Sequence, residues 1–119
     1  MKVLIADDDR LVRQMLADLL ADLGHAVVAA EDGAQAVDLC AREAPDLLIL
    51  DFLMPKLSGL DALQALRARG VRVPAVLLTA ISDQSFRAVE GADAVHVLLP
   101  KPVTRRSLAR ALAQATRAA

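Results

Sequence analysis

The alternation of two hydrophobic periods constrains the fold of this 119-residue chain more than any other feature of its sequence. Short, continuous apolar runs alternate with segments in which apolar residues recur at helical spacing. Such runs are typical of parallel strands that are covered on both faces, and the longer period is typical of amphipathic helices. The predicted strands are residues 2–6, 26–30, 47–51, 74–80 and 94–99.

Helices are predicted between these strands and after the last one. Periodicity places two of them, at about 9–23 and 104–117, and a short, weakly patterned one is predicted at about 83–91. Another opens at Asp32, with Gln35 following as in a capping box. The helix before the fourth strand begins at Ser58, with Asp61 in the same relation, and stops at Gly70, a favourable C-terminal cap. The residues predicted to face the core are Val12, Met15, Leu16, Leu19 and Leu23, then Val37, Cys40 and Ala41, then Leu60, Leu63 and Leu66, and finally Leu108, Ala111, Leu112 and Ala115.

The strict succession of strand and helix predicts an α/β fold. Right-handed crossovers place the strands in one parallel sheet with helices on both faces. The length is that of one domain, so residues 1–119 are expected to form a single unit. In doubly wound sheets of this kind, ligands bind beyond the carboxyl ends of the strands, where the strand order reverses.

Composition excludes several classes of protein. The formal net charge is −1, so no global charge points to direct nucleic acid binding. Cys40 is the only cysteine, which rules out an internal disulfide and a cysteine-based metal site. The longest uncharged stretch is far shorter than the roughly 20 residues that span a bilayer. A soluble, cytoplasmic protein without membrane contact is therefore expected.

Polar side chains follow four of the predicted strands at the edge where the strands end. The first strand runs into Asp7, Asp8 and Asp9, the third ends in Asp51, the fourth in Thr79, and the fifth is followed by Lys101. Each has an ordinary structural explanation when taken alone, and Asp9 in particular suits a helix N-cap. The conjunction is more informative, because a parallel sheet brings these ends into one crevice.

The charges in this crevice predict a metal site. Converging carboxylates repel one another, so they must either take up protons or bind a cation. Oxygen ligands with access to water suit Mg²⁺. A magnesium ion beside a lysine and a threonine hydroxyl is well suited to a phosphoryl group, whose charge it would offset.

Four segments, in this order and at these separations, resemble the receiver domain of bacterial two-component response regulators. They are "VLIADDD", "LLILDFLMPKLSG", "AVLLTA" and "PKP", and the resemblance covers essentially the whole chain. It implies a flavodoxin-like (βα)5 fold with strand order 2-1-3-4-5. It also implies a regulatory phosphoacceptor rather than an enzyme, with a histidine kinase or a histidine phosphotransfer protein as donor, an unknown downstream effector and a possible homodimer.

The same resemblance implies the roles of the metal-binding residues. Asp8 would bind Mg²⁺ directly, and Asp7 would act partly through water. Asp51 would complete the acidic set as the phosphoacceptor. Leu53 would offer its backbone carbonyl to the metal, a role that tolerates an apolar side chain.

The remaining roles implied by the resemblance concern the phosphoryl group on Asp51. Thr79 would donate a hydrogen bond to a phosphoryl oxygen, and the small side chain of Ala80 would leave room for entry. Lys101 would pair with the phosphoryl group, and its peptide bond to Pro102 is usually cis in this family.

Three features depart from the family pattern near the surface that usually passes the signal on. This surface comprises the helix at about 83–91, the last strand and the last helix, and phosphorylation is expected to switch it for partner binding. Leu98 stands where an aromatic residue often moves inward, so the switch must use a smaller side chain. Pro100 is unusual before the lysine, and the "GAD" segment at 91–93 indicates an irregular helix before it.

The positions two residues beyond Asp51 and Thr79 carry a kinetic prediction. They are Leu53 and Ile81, and neither apolar side chain can orient a hydrolytic water. The aspartyl phosphate is therefore expected to be lost slowly.

Two alternatives remain open from the sequence. A haloacid dehalogenase-like phosphohydrolase would use Asp7 as nucleophile with Asp9, but it needs a late acidic pair, and no acid follows Asp93. A receiver-like binding module that is not phosphorylated would have no use for the set of acids, Thr79 and Lys101.

Overall fold

The computed structural model describes residues 1–80, 95 and 97–118, and these form a five-stranded sheet and four helices. The strands are β1 (Lys2–Ala6), β2 (Ala26–Ala30), β3 (Leu47–Asp51), β4 (Ala75–Thr79) and β5 (Val97–Pro100). The helices are α1 (Arg10–Asp22), α2 (Gly33–Glu43), α3 (Gly59–Ala68) and α4 (Arg105–Ala118). The predicted bounds of β1, β2 and β3 are confirmed to the residue, whereas β4 is one residue shorter at each end than predicted. The helix predicted at about 83–91 lies outside the described residues.

All strand pairs are parallel, and the order is β2-β1-β3-β4-β5. The predicted α/β, doubly wound, flavodoxin-like fold is therefore confirmed. The strand order reverses between β1 and β3, where Ala6 lies opposite Leu50. The residues that directly follow these two positions, Asp7 and Asp51, therefore meet at the reversal point, where a crevice forms beyond the carboxyl ends.

The helices cover both faces of the sheet and create two cores. Successive side chains of a strand point to opposite faces, so Ile49 packs with α1 and α4 while Leu48 and Leu50 pack with α2 and α3. All five residues of β3 are buried, and so are all five of β4. This explains why the central strands are apolar throughout rather than alternating.

The core prediction is wrong for two residues, and in both cases the error lies in the orientation of the helix about its own axis. Met15 is 37% exposed, whereas Leu20, which was not predicted, is fully buried with Leu16. Ala41 is exposed, while Ala36 is buried with Cys40. In each helix a pair four residues apart faces the sheet, and the mispredicted residue lies at the edge of that stripe. The other predicted core residues of the four helices are buried or pack partly buried against a core.

Local capping contacts explain where the helices begin and end. The Asp9 side chain accepts hydrogen bonds from the backbone N–H groups of Leu11 and Val12 and so caps α1. The Ser58 hydroxyl accepts from the Asp61 N–H at 3.0 Å, as the sequence predicts for α3. Gly70 follows α3 with a positive φ of 86°, which glycine adopts without strain.

The cap of α2 is a variant of the predicted capping box. The Asp32 carboxylate accepts from the Gln35 N–H at 2.8 Å, but the Gln35 side chain accepts from the N–H of Glu31 at 2.6 Å rather than from that of Asp32. The reciprocal bond therefore reaches one residue further back than in the usual motif.

Within the described ranges, none of the helices has the length and apolar character needed to cross a lipid bilayer.

Candidate functional site

The carboxyl ends of β1 and β3 bring three carboxylates together. One oxygen from each of Asp7, Asp8 and Asp51 lies within 4.8 Å of the other two. Asp7 and Asp51 are buried, with exposed fractions of 0% and 5%, whereas Asp8 is exposed to solvent. The arrangement follows from the strand register, because β1 and β3 are hydrogen-bonded neighbours that end at the same level.

Asp7 is held in place by backbone hydrogen bonds on one side, whereas its other carboxylate oxygen accepts no hydrogen bond from the described residues. Its N–H donates to the carbonyl of Ala30 at 3.2 Å, and its Oδ1 accepts from the N–H of Asp9 at 2.8 Å. Its Oδ2 is buried and has no hydrogen-bond partner in the described part of the chain. Burial of a polar atom without a partner is costly, so this oxygen is a natural ligand for a cation.

The electrostatics of Asp7 agree with this geometry. Burial and, secondarily, the negative charge of Asp51 raise the pKa of the Asp7 carboxyl from 3.8 to about 6, although the Asp9 N–H and Lys101 act in the opposite direction. An acid with a raised pKa holds its charge at a cost, and a bound cation would remove that cost.

Lys101 is the cation that faces the two buried carboxylates. Its Nζ donates to Asp51 Oδ2 at 3.0 Å and lies 3.6 Å from Asp7 Oδ2. Burial alone lowers the pKa of the Lys101 ammonium, but the hydrogen bond to Asp51 and the charges of Asp7 and Asp51 outweigh burial and raise it. Three ionised carboxylates exceed this one ammonium by two negative charges, which a divalent cation would neutralise.

The backbone after β5 sets the position of this lysine. The Lys101 N–H donates to the carbonyl of Thr79 at 3.0 Å, which continues the pairing of β4 with β5 through Pro100. The peptide bond between Lys101 and Pro102 is cis, as the sequence resemblance implies. Pro100 lacks an N–H, and it occupies the last position of the edge strand.

A cavity of about 170 Å³ opens beside Asp51. Thr79 is buried, Ala80 is exposed, and Leu53 has 74% of its surface exposed. All of the predicted site residues are thus brought to the acidic cluster or to this cavity. The residues that line the cavity are Asp51, Phe52, Leu53, Thr79, Ala80 and Lys101.

Three residues near the site, Phe52, Arg13 and Lys56, were given no role from the sequence. Phe52 lines the cavity and packs partly buried against the core on the α2 and α3 side, and its position directly after Asp51 could have indicated it. Arg13 donates from Nη1 to the carbonyl of Asp7 at 2.8 Å. Lys56 Nζ lies 3.4 Å from Asp32 Oδ2. Gly59, which the resemblance implies shapes the loop after Asp51, lies against the Asp51 carbonyl, where a side chain would not fit. The contact between Lys56 and Asp32 joins the segment after β3 to the start of α2, and that between Arg13 and Asp7 joins α1 to the end of β1, so neither follows from a hydrophobic or capping pattern.

Other predictions near the site have different outcomes. Leu98 packs partly buried against the core on the α2 and α3 side. Ile81 and the "GAD" segment at 91–93 lie outside the described residues. The side chain of Asp9 is engaged in capping α1, which leaves the hydrolase alternative without the second acid that it requires.

Comparison with known proteins agrees with this geometry. A family model described as the response regulator receiver domain matches residues 3–113. Response regulator MprA of Mycobacterium avium (strain 104) is 42% identical over 109 residues, which are 91% of this chain and 47% of that protein. The receiver domain of the Francisella response regulator 1452 superposes with a TM-score of 0.87 at 29% identity, covering 99% of this chain and 98% of that one.

A second solved structure is equally similar. The chemotaxis response regulator CheY4 of Vibrio cholerae superposes with a TM-score of 0.88 at 29% identity, covering 96% of this chain and 97% of that one. The chain spans about half the length of the MprA relatives. Because the family model covers nearly the whole sequence and the fold agrees with it, the chain belongs to the response regulator receiver domains, the regulatory domains of two-component systems.

Proposed function

We propose that residues 1–119 form one receiver domain that accepts a phosphoryl group on Asp51 from a phosphohistidine of a histidine kinase or a histidine phosphotransfer protein. The observation that carries this proposal is the Lys101 ammonium, which contacts Asp51 and Asp7 beside three clustered carboxylates. A nucleophilic carboxylate, a cation next to it and an acidic cluster are what phosphoryl transfer to an aspartate requires.

The donor atoms fit magnesium as the cofactor. Asp8 is exposed and suits a direct ligand, while Asp7 is buried and suits a contact that is partly made through water. Asp51 and the backbone carbonyl of Leu53 would complete an all-oxygen set, which Mg²⁺ prefers. The ion, when bound, would supply positive charge close to the phosphoryl oxygens. The buried Oδ2 of Asp7, which has an ion pair with Lys101 but no hydrogen bond in the described part of the chain, supports the presence of a cation here.

The side chains of this site divide the chemistry among them. A carboxylate oxygen of Asp51 attacks phosphorus, the phosphorus–nitrogen bond breaks, and its electron pair leaves with the imidazole, which takes up a proton. Lys101 pairs with the phosphoryl oxygens, and the Thr79 hydroxyl donates a hydrogen bond to one of them. Ala80 leaves the approach open, since a larger side chain at this exposed position would narrow the cavity beside Asp51.

The domain is regulatory, and we propose that it catalyses only its own phosphorylation and dephosphorylation. Phosphorylation would change the surface made by the segment around 83–91, β5 and α4, and so alter the binding of a downstream effector. The identity of that effector, a possible homodimer, the absence of direct nucleic acid or membrane contact, and a cytoplasmic location stay predictions.

Phosphorylation by acetyl phosphate tests the proposal. The wild-type protein is incubated with acetyl phosphate and Mg²⁺, and intact mass followed by peptide mapping locates the added phosphoryl group. We expect labelling of Asp51 that is lost on removal of Mg²⁺ and in Asp51→Asn. Asp38→Asn, which removes an exposed carboxylate of α2, is the matched control and should label normally.

Two results would contradict this function. Label on Asp7 would favour the haloacid dehalogenase-like phosphohydrolase. No label on a folded wild-type protein, with acetyl phosphate or with cognate kinases, would favour a receiver-like module that binds partners without being phosphorylated.

A further inference from the structure

Arg13 connects α1 to the residue that starts the acidic cluster. Its Nη1 donates to the main-chain carbonyl of Asp7 at 2.8 Å, and its side chain is only 17% exposed. Its Nη2 lies 4.0 Å from a carboxylate oxygen of Glu31 in the loop after β2. This arginine is not among the residues whose roles the sequence resemblance implies.

The bonded carbonyl has a special place in the site. It belongs to the peptide group that joins Asp7 to Asp8, the two acids proposed to serve the metal from β1. Because a peptide group is planar, a bond to its oxygen fixes the orientation of the whole plane. The same plane contains the backbone N and Cα atoms of Asp8, which follows the end of β1. Its orientation therefore limits where the exposed side chain of Asp8 can lie.

Other contacts hold the remaining edges of this turn. The N–H of Asp7 donates to Ala30, and the N–H of Asp9 donates to the Asp7 carboxylate. The Arg13 bond supplies the missing restraint on the carbonyl side. A charge-assisted hydrogen bond of this length is stronger than a neutral one, so it is well suited to hold the plane.

The guanidinium is itself oriented from a second loop. The backbone N–H of Glu31 donates to the side chain of Gln35 at 2.6 Å, which ties the Glu31 segment to the first turn of α2. The Glu31 carboxylate is 72% exposed, so its ion pair with Arg13 contributes little energy. Together, the contacts with Glu31 and with the Asp7 carbonyl nevertheless show that the guanidinium lies between the loops that follow β1 and β2.

We infer that Arg13 is a positioning residue for the metal site: by holding the peptide plane between Asp7 and Asp8, it pre-organises these two carboxylates for Mg²⁺. The inference rests on the proposed function, because it needs the acidic cluster to bind magnesium. Groups that orient metal ligands from outside the coordination shell typically change metal affinity by 10- to 100-fold when they are removed.

Titration calorimetry with Mg²⁺ alone tests this role. We expect Arg13→Gln to weaken Mg²⁺ binding by roughly 10-fold, while urea unfolding in chelator shows that the metal-free domain remains folded. Arg13→Lys keeps one charged donor and should recover most of the lost affinity. An NMR spectrum adds a direct readout, because the Asp8 N–H belongs to the same peptide group and its resonance should shift in Arg13→Gln.

Arg10→Gln is the matched control. Arg10 is on the same helix and is exposed, and its side chain makes no hydrogen bond or ion pair with the described residues, so this variant removes the same charge without removing the bond to Asp7. It should change the affinity less than about threefold, the loss expected from a screened charge. Equal weakening in both variants, or unchanged affinity in Arg13→Gln, would overturn the inference.

The outcomes also separate this inference from the proposed function. A wild-type protein that binds no Mg²⁺ would overturn both, whereas a wild-type protein that binds Mg²⁺ and labels on Asp51, with no effect of Arg13→Gln, would overturn only the role of Arg13. If Arg13→Gln does not fold, Arg13→Met takes its place, because it keeps the apolar part of the side chain.

Discussion

Replacing Asp7 by asparagine should stabilise the metal-free protein at neutral pH. The pKa of the Asp7 carboxyl is raised from 3.8 to about 6, mainly by burial and next by the charge of Asp51. The folded state therefore binds more protons than the unfolded state between about pH 4 and pH 6, so the free energy of unfolding falls as the pH rises through this window. Above it, the folded state carries the full cost of the buried charge.

The size of the effect follows from the pKa shift. A shift from 3.8 to about 6 corresponds to about 3 kcal/mol at pH 7. Asparagine has nearly the same shape and keeps an oxygen for the N–H of Asp9, which now donates to Asp7 Oδ1. Asp7→Asn should therefore raise the free energy of unfolding by up to about 3 kcal/mol at pH 7, and by only about 1 kcal/mol at pH 4.5.

Urea unfolding in chelator, followed by far-ultraviolet circular dichroism, measures this difference, since the chain has no tryptophan or tyrosine to report by fluorescence. Asp18→Asn, which changes an exposed carboxylate of α1, should alter stability by less than about 0.5 kcal/mol at either pH. Adding Mg²⁺ should stabilise the wild type and not Asp7→Asn, because a ligand of the folded state alone raises its stability. A variant that is no more stable than the wild type at pH 7, or whose gain is the same at pH 4.5, would refute the account of the buried charge.

Three further predictions concern packing and turnover. Leu20→Ala should destabilise the protein by about 3 kcal/mol because Leu20 is fully buried, whereas Met15→Ala on the same helix should cost less than about 1 kcal/mol. Urea unfolding of the two variants measures these losses, and equal losses would contradict the face of α1 that is assigned to the core. Gly59→Ala should lower the unfolding midpoint sharply, since its added carbon would overlap the main-chain carbonyl at the end of β3; an unchanged midpoint would show that this contact is loose. A Leu53→Asn, Ile81→Glu double variant should lose its aspartyl phosphate faster than the wild type because both new side chains can orient water. A time course after removal of acetyl phosphate measures the dephosphorylation rate. No acceleration would count against the explanation that the apolar side chains of Leu53 and Ile81 slow hydrolysis.

The sequence alone determined most of the architecture of this domain. Five apolar runs, separated by helical periods, specify a doubly wound sheet because each period matches one element and the crossover rule permits one hand. The helix starts at Asp9, Asp32 and Ser58 were equally predictable, since a cap is a contact between residues close in the chain. The convergence of Asp7, Asp8 and Asp51 follows from the same logic, because they stand at the ends of strands that the fold makes neighbours.

Only the tertiary structure decided which face of each helix is turned toward the sheet and which groups surround the acids. A helical period defines a broad apolar stripe, and contact with the sheet determines that Leu20 rather than Met15 lies at its centre. The bond from Arg13 to the Asp7 carbonyl, and the burial of Asp7 Oδ2 beside Lys101 without a hydrogen bond, also cannot be predicted from sequence periodicity. Hydrogen bonds and burial of this kind depend on the relative placement of whole elements, which packing sets with a precision that sequence periodicity does not contain.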